Sequence, residues 1–407
     1  MKKPFVILLV VLVSLSSYAI NEEKEMAKES GSTSFQPKPL DDDWFKWLVG
    51  QWEGSFESDV GTGKIRTKIE LGLNGQFLIM KSEAKVTEIT NEQRQYLRET
   101  LHASVEDIER FRNSTARELQ IHTIDPKNGE VIGYLFDSFH CIAQGRARRQ
   151  GNKEIIEWKW SALAQGATSV RIIEKINDNK IILNHKYTLP DGNKMEDKAE
   201  MTRKKEIGKD SSSPSFQLEP LDDEWSKWLV GKWEFTGGGS EFLGDELEGV
   251  GESSAEVGAG YTIEFRLNGQ FVIWESSDET GGMTDEQKKQ VKEALGKYVS
   301  DEELERFVSM RYSMLLVQTI DPKTGERIAY CFDSQRLYGQ GRGRLEGNKE
   351  VMEWKWSGIG RGITSVNIME KINDNKFTYS MKYTLPDGNK MEDNVKFTRK
   401  KTMTEGN

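Results

Sequence analysis

With 407 residues, the chain is long enough for two domains. A formal charge of −9 argues against nucleic acid, which wants a basic stripe. No paired His/Cys spacing points to zinc, and no phosphate-binding glycine motif precedes a helix.

At the N-terminus, Lys2 and Lys3, the apolar run 5–15 and the small-x-small site Ser17-Tyr18-Ala19 read as a signal peptide over 1–19. The mature chain is therefore expected to be exported, periplasmic or secreted. The apolar run is short for a membrane span, and no cysteine follows it to carry a lipid anchor. No stable membrane insertion is expected after cleavage. Residues 20–33 are polar and read as a disordered tether.

The chain then repeats itself. S-F-Q-P-K-P-L-D-D-D-W-F-K-W-L-V-G-Q-W-E starts at Ser34, and S-F-Q-L-E-P-L-D-D-E-W-S-K-W-L-V-G-K-W-E starts at Ser215. Both copies close on K-Y-T-L-P-D-G-N-K-M-E-D, over 186–197 and 382–393. The units are 34–205 and 215–401, joined by a serine-rich linker, 206–214, and followed by a tail, 402–407. A site carried by the repeat should appear twice. Cys141 and Cys331 fall at non-matching positions, so neither copy owns an internal disulfide. They read as two small buried hydrophobes, with a bridge between the domains as the sharper alternative.

Within each unit, alternation of period two dominates. Asn74-Gly75, Asn128-Gly129, Gly151-Asn152, Asp178-Asn179 and Asp191-Gly192 punctuate copy one as tight hairpins, and copy two keeps equivalents. The breaks predict about ten strands per unit, starting in copy one near 48, 64, 75, 116, 130, 142, 153, 168, 180 and 194. Connections this short imply an up-and-down order, hence a mostly β protein of two tandem barrels. Thr90-Asn91-Glu92-Gln93 and Ser104-Val105-Glu106-Asp107 break the rhythm as helix starts with capping-box patterns, echoed at 284–287 and 300–303. This two-helix insertion between the third and fourth strands either lids the barrel mouth or decorates an edge. Copy two also carries a long, glycine-rich first hairpin over 237–260.

Parity assigns faces. Ile156, Trp158 and Trp160 share one side of a strand, as do Met352, Trp354 and Trp356. Ile132, Tyr134 and Phe136, with Ile328, Tyr330 and Phe332, are expected on the same inner side. So are Ile181, Leu183, His185 and Tyr187, with Phe377, Tyr379, Met381 and Tyr383. This lining either fills the barrel as core or surrounds an apolar pocket. Glu174 and Glu370, and Asp197 and Asp393, are the inward carboxylate candidates. Arg146 and Arg148, like Arg342 and Arg344, alternate with small residues; parity leaves both faces open and surface is the safer expectation. Asp137 and Asp333 read as caps over the next hairpin.

Gly50-Gln51-Trp52 opens each design and Thr202-Arg203 closes it; copy two has Gly231-Lys232-Trp233 and Thr398-Arg399. This pattern resembles the calycin superfamily, the lipocalins and their relatives. More closely it is similar to a bacterial family of lipocalin-like domains of unknown function, with L-x-G-x-W-x-G, G-x-F, F-D-S and Y-x-x-P-D-G-x-x-M in order. Here these fall at 48–54, 75–77, 136–138 and 187–195, and at 269–271, 332–334 and 383–391 in copy two. The resemblance implies that Trp52 and Trp233 cross a barrel floor under Arg203 and Arg399. It brings no established chemistry. Phe235 departs from the pattern where copy one has Gly54.

Four histidines exist, all in copy one: His102, His122, His140 and His185, opposite Tyr298, Gln318, Arg336 and Met381. Related barrels hold haem through a histidine, and His185 is the inward candidate. Its Met381 twin favours a tolerated core position. No Ser-His-Asp set can be built in copy two. No cofactor or metal is expected. The leading expectation is non-catalytic binding of a small, partly apolar ligand in the lumen. An envelope module binding protein or glycan on its outer faces is the alternative. A hydrolase-like enzyme using Glu174/Asp197 and Glu370/Asp393 as acid and base is the third.

Overall fold

The computed structural model describes residues 39–100, 103–125, 128–204, 221–240, 260–276, 313–358, 360–386 and 388–400. The signal peptide, tether, linker, tail, most of copy two's long hairpin and its two expected helix starts lie outside the described residues.

The chain forms two compact units, each holding one closed antiparallel barrel. In the first, helix α1 (Asp43–Leu48) leads into β1 (Gly50–Ser58), β2 (Gly61–Gly72) and β3 (Phe77–Glu88). Helices α2 (Asn91–Glu99) and α3 (Val105–Asn113) follow. Then come β4 (Thr115–Ile124), β5 (Val131–Asp137), β6 (Cys141–Gln150), β7 (Lys153–Ala162), β8 (Thr168–Asn177), β9 (Lys180–Thr188) and β10 (Lys194–Arg203). The second unit has α4 (Glu224–Leu229), then β11 (Gly231–Ser240), β12 (Gly260–Arg266), β13 (Phe271–Ser276), β14 (Met314–Ile320) and β15 (Arg327–Asp333). Its remaining strands are β16 (Leu337–Glu346), β17 (Lys349–Gly358), β18 (Thr364–Asn373), β19 (Lys376–Thr384) and β20 (Lys390–Arg399). Each strand pairs with the next, and the last closes on the first. The ten-strand, up-and-down reading holds in both units.

The G-x-W signature builds the floor. Trp52 pairs across the closing seam with Arg203, whose guanidinium lies 4.3 Å from the indole centroid. Arg203 also donates to the carbonyls of Val49 and Trp47, while the Trp52 indole N–H donates to Leu48 at 2.8 Å. Trp233 and Arg399 repeat this at 4.2 Å. Gly50 has φ +139, and a Cβ there would lie 2.5 Å from the Arg203 Nη1. Gly50→Ala is therefore expected to destabilise barrel 1 by about 1–3 kcal/mol through backbone strain and a displaced arginine, read by urea unfolding. An unchanged midpoint would contradict this.

Both capping boxes form. Thr90 Oγ1 accepts from the Gln93 N–H at 3.2 Å, and the Gln93 side chain accepts from the Thr90 N–H at 2.8 Å; Ser104 and Asp107 do the same. Leu97 and Ile108 of these helices pack with Val86, Ile89 and Phe56 at the end of the barrel opposite the floor. Gln93 and Tyr96 donate to the carbonyls of Ser58 and Lys194 at that rim. In the first unit the insertion thus covers the mouth.

Two expected faces are reversed. On β5, Val131, Gly133 and Leu135 point inward, so Tyr134 and Phe136 point outward with Ile132. On β15, Ala329, Cys331 and Asp333 face the lumen, and Tyr330 and Phe332 point away. These strands are buried on both faces, so the larger side chains no longer mark the inside. The Trp158 ring sets the inner face instead: a Cβ at Gly133 or Gly145 would come within 2.8 and 2.6 Å of it. The β8 face is also reversed. Ser169, Arg171 and Ile173 point in, while Glu174 points out and pairs with Lys153 at 3.2 Å. Glu370 likewise points out, 3.2 Å from Lys349. Val170, Ile172 and Ile173 put apolar groups on both parities, which removes the pattern's power to choose. Arg146, Arg148 and Arg342 point outward, each paired with a glutamate.

Candidate functional site

The remaining predicted lumen residues converge. Trp158, Trp160, Tyr187 and Asp197 face the interior of barrel 1; Trp354, Trp356, Tyr383 and Asp393 face that of barrel 2. With Glu174 and Glu370 outside, the acid–base pairs Glu174/Asp197 and Glu370/Asp393 do not assemble in either lumen.

Barrel 1 carries a polar network that periodicity alone did not reveal. Arg171 is buried; its Nη2 lies 3.3 Å from a Glu118 carboxylate oxygen, and its guanidinium lies 5.9 Å from the Trp158 ring. Its Nε–H donates to His185 Nδ1 at 3.4 Å. That fixes the tautomer, so His185 Nε2–H donates to Ser169 Oγ at 2.8 Å, which also accepts from the Trp160 indole at 2.8 Å. Both ring nitrogens are engaged, leaving none to ligate a haem iron. Burial raises the Asp197 carboxyl to about 6, with Arg171 and a Tyr187 hydrogen bond pulling the other way. Asp137 caps the next hairpin by accepting from the amides of Phe139 and Cys141, each at 2.9 Å, and burial raises it to about 7.

Barrel 2 keeps the frame and changes the contents. Arg171, Glu118 and His185 correspond to Asn367, Met314 and Met381; Ile156 and Ile173 correspond to Met352 and Met369. A cavity of about 100 Å³ lies among these four methionines, Trp354, Trp356, Tyr379, Tyr383 and their neighbours. Polar residues in its lining include Gln318, Asp333, Glu350, Asn367 and the tyrosines. Asp393 lies on the same inner face, paired in register with Met381, and burial raises it to about 6.

At the floor end each barrel buries a glutamate, Glu154 or Glu350, which burial pushes upward against the pull of an arginine. Arg149 of β6 serves Glu154, at 3.2 Å, and also reaches Asp42, the α1 N-cap. In barrel 2, Arg327 of β15 serves Glu350, at 3.2 Å, and reaches Asp223, the α4 N-cap. The same three-group cluster is built from different strands.

These shifts predict opposite pH trends. A carboxyl whose folded value exceeds its unfolded value holds its proton more tightly when folded. Its contribution is fully present below about pH 4 and is lost as pH rises through 6–7. Asp393 and Glu350 act this way in barrel 2, which has no histidine. In barrel 1, burial lowers His122 to about 3 and His185 well below its usual value. Those groups favour the fold above about pH 6.5 and oppose the carboxyls there. Thermal unfolding should therefore show barrel 2 more stable at pH 5 than at pH 8, and barrel 1 with a smaller difference. Equal pH slopes for the two transitions would refute this.

No family model matches the chain, and no curated protein matches it. Among solved structures it is similar to an S-type phycobiliprotein lyase from Guillardia theta, 12% identical, TM-score 0.27, over 40% of this chain and 93% of that one. A protein of unknown function from the DUF3598 family of Nostoc punctiforme is 9% identical, TM-score 0.21, over 89% of this chain and 100% of that one. Likenesses at these scores carry nothing about the site. Two closed ten-strand barrels, each with a floor tryptophan under a last-strand arginine, are consistent with a lipocalin-like class.

Proposed function

We propose that the chain is an exported tandem member of the bacterial lipocalin-like domains, and that barrel 2 binds a small, mainly apolar molecule without catalysis. One observation carries this reading: the cavity of about 100 Å³ among four methionines and aromatic rings. An apolar cavity of about 150 Å³ accepts benzene, so an occupant of a few heavy atoms fits, and flexible methionines can yield to a larger one. Barrel 1, crossed by the Arg171–Glu118 pair, serves as the companion domain. Export rests on the pattern of residues 1–19, and no nucleic-acid partner is implied by the charge. A second reading, protein or glycan binding on the outer faces, is favoured by exposed apolar side chains at matching positions: Val170 with Val366, and Ile176 with Ile372.

Native mass spectrometry of protein purified from its own host should reveal a co-purifying small molecule. Benzene should raise the melting temperature of barrel 2 in the full chain. Neither effect being seen would overturn the reading.

A further inference from the structure

Buried acceptors without donors are rare in folded proteins and call for a reason. Barrel 2 has three on one row of its inner face: Oδ1 of Asn367 and both carboxylate oxygens of Asp393. Asn367 is 3% exposed and Asp393 0%. The row runs Asn367, Met381, Asp393 across β18, β19 and β20. Asn367 and Met381 line the cavity. Asn367 donates an amide N–H to the Tyr379 hydroxyl at 2.8 Å, which leaves its oxygen unpaired. The Asn394 amide comes near Asp393 without forming a well-aligned bond.

Barrel 1 provides the comparison. Its matching row is Arg171, His185, Asp197. There the chain itself supplies the positive charge, whose field supports the Asp197 carboxylate. Barrel 2 retains the carboxylate and loses the guanidinium. Among the described residues lining its cavity there is no lysine, arginine or histidine. Arg327 is occupied at the floor by Glu350 and Asp223.

Resting on the binding reading above, we infer that the occupant of barrel 2 is a small apolar primary amine. Its ammonium sits between Asp393 and Asn367 Oδ1, and its hydrocarbon part fills the methionine-lined void. An ammonium has three donors and no acceptor, which matches three unpaired acceptors. Residues two strands apart have Cα atoms about 9–10 Å apart, and their side chains converge on a concave face. Met381 stands between the two in register and Asp393 lies just beyond the cavity lining, so the ammonium reaches both oxygens by displacing that flexible thioether side chain. The indole N–H of Trp354 also lacks an acceptor, but so does that of its counterpart Trp158, so this trait belongs to the shared frame; Trp274, whose counterpart is Met80, adds one unpaired donor in barrel 2 alone.

The test is calorimetric titration of the full chain with n-butylamine, n-butanol and butyrate at neutral pH. The amine is expected to bind at least tenfold tighter than the alcohol, and butyrate not at all. Asp393→Asn should weaken the amine at least tenfold and leave the alcohol unchanged. Asn367→Arg, which restores a cation from the chain as in barrel 1, should abolish amine binding and raise the melting temperature of barrel 2. It carries the test if Asp393→Asn does not fold. Equal binding of amine and alcohol, or stronger binding of butyrate, overturns the ammonium assignment while leaving the apolar cavity intact. Failure of all three probes to bind overturns both.

Discussion

Replacing Arg171 by asparagine, the residue at the matching position of barrel 2, is expected to cost barrel 1 about 3–5 kcal/mol. The guanidinium is buried and lies 3.3 Å from Glu118. Its loss leaves Glu118 and Asp197 in a low-dielectric lumen without their cation, and an uncompensated buried charge is far costlier than an absent pair. Restoring the rest of the barrel 2 set should reverse most of the loss. Arg171→Asn combined with Glu118→Met and His185→Met removes both partners together and substitutes flexible apolar side chains. Urea unfolding of the full chain, followed by tryptophan fluorescence, reads both effects in the barrel 1 transition. If the triple variant is no more stable than the single one, the lumen set does not act as a unit.

The second large effect is at the floor of barrel 2. Arg327→Val, which installs the residue of copy one, should destabilise that barrel by about 3–5 kcal/mol. Arg327 is buried beside Glu350 and donates to Ser226 Oγ at 3.3 Å as well as to Asp223. Val131 at the same place in barrel 1 costs nothing, because Arg149 reaches Glu154 from the next strand. Leu345 occupies the Arg149 position in copy two and is exposed. Adding Leu345→Arg to Arg327→Val should therefore recover much of the stability. No recovery, with the arginine shown by a crystal structure to reach Glu350, would mean that the arginine's strand of origin matters more than the pair.

What was legible in the sequence was local. Strand starts fell within about three residues of their expected places in barrel 1, because turn pairs such as Asn74-Gly75 carry their own backbone demands. Thr90/Gln93 and Ser104/Asp107 announced two helices through side chains three residues apart. Trp52 and Arg203 were matched through the resemblance to lipocalin-like barrels. What was not legible was which side of a doubly apolar strand faces the lumen. Small residues hold that information: Gly133 and Gly145 make room for Trp158, and their parity identifies the inside of β5 and β6. The Arg171–Glu118 pair joins positions 53 residues apart, beyond any local pattern. A position-by-position comparison of copies also hides the floor cluster, since Arg149/Leu345 and Val131/Arg327 look like two unrelated changes. Taken together they preserve one cation.

The closing seam joins the first and last strands of each unit, so neither barrel is complete until its final strand has been synthesised. Two nearly interchangeable sets of strands then share one nascent polypeptide, an invitation to cross-repeat swapping. A chimeric barrel that took β18–β20 in place of β8–β10 would strand Glu118 against Asn367 and Met381, with no guanidinium in reach. Such a chimera is therefore expected to be less stable than either native barrel, and the diverged interiors favour pairing of each strand set with its own half.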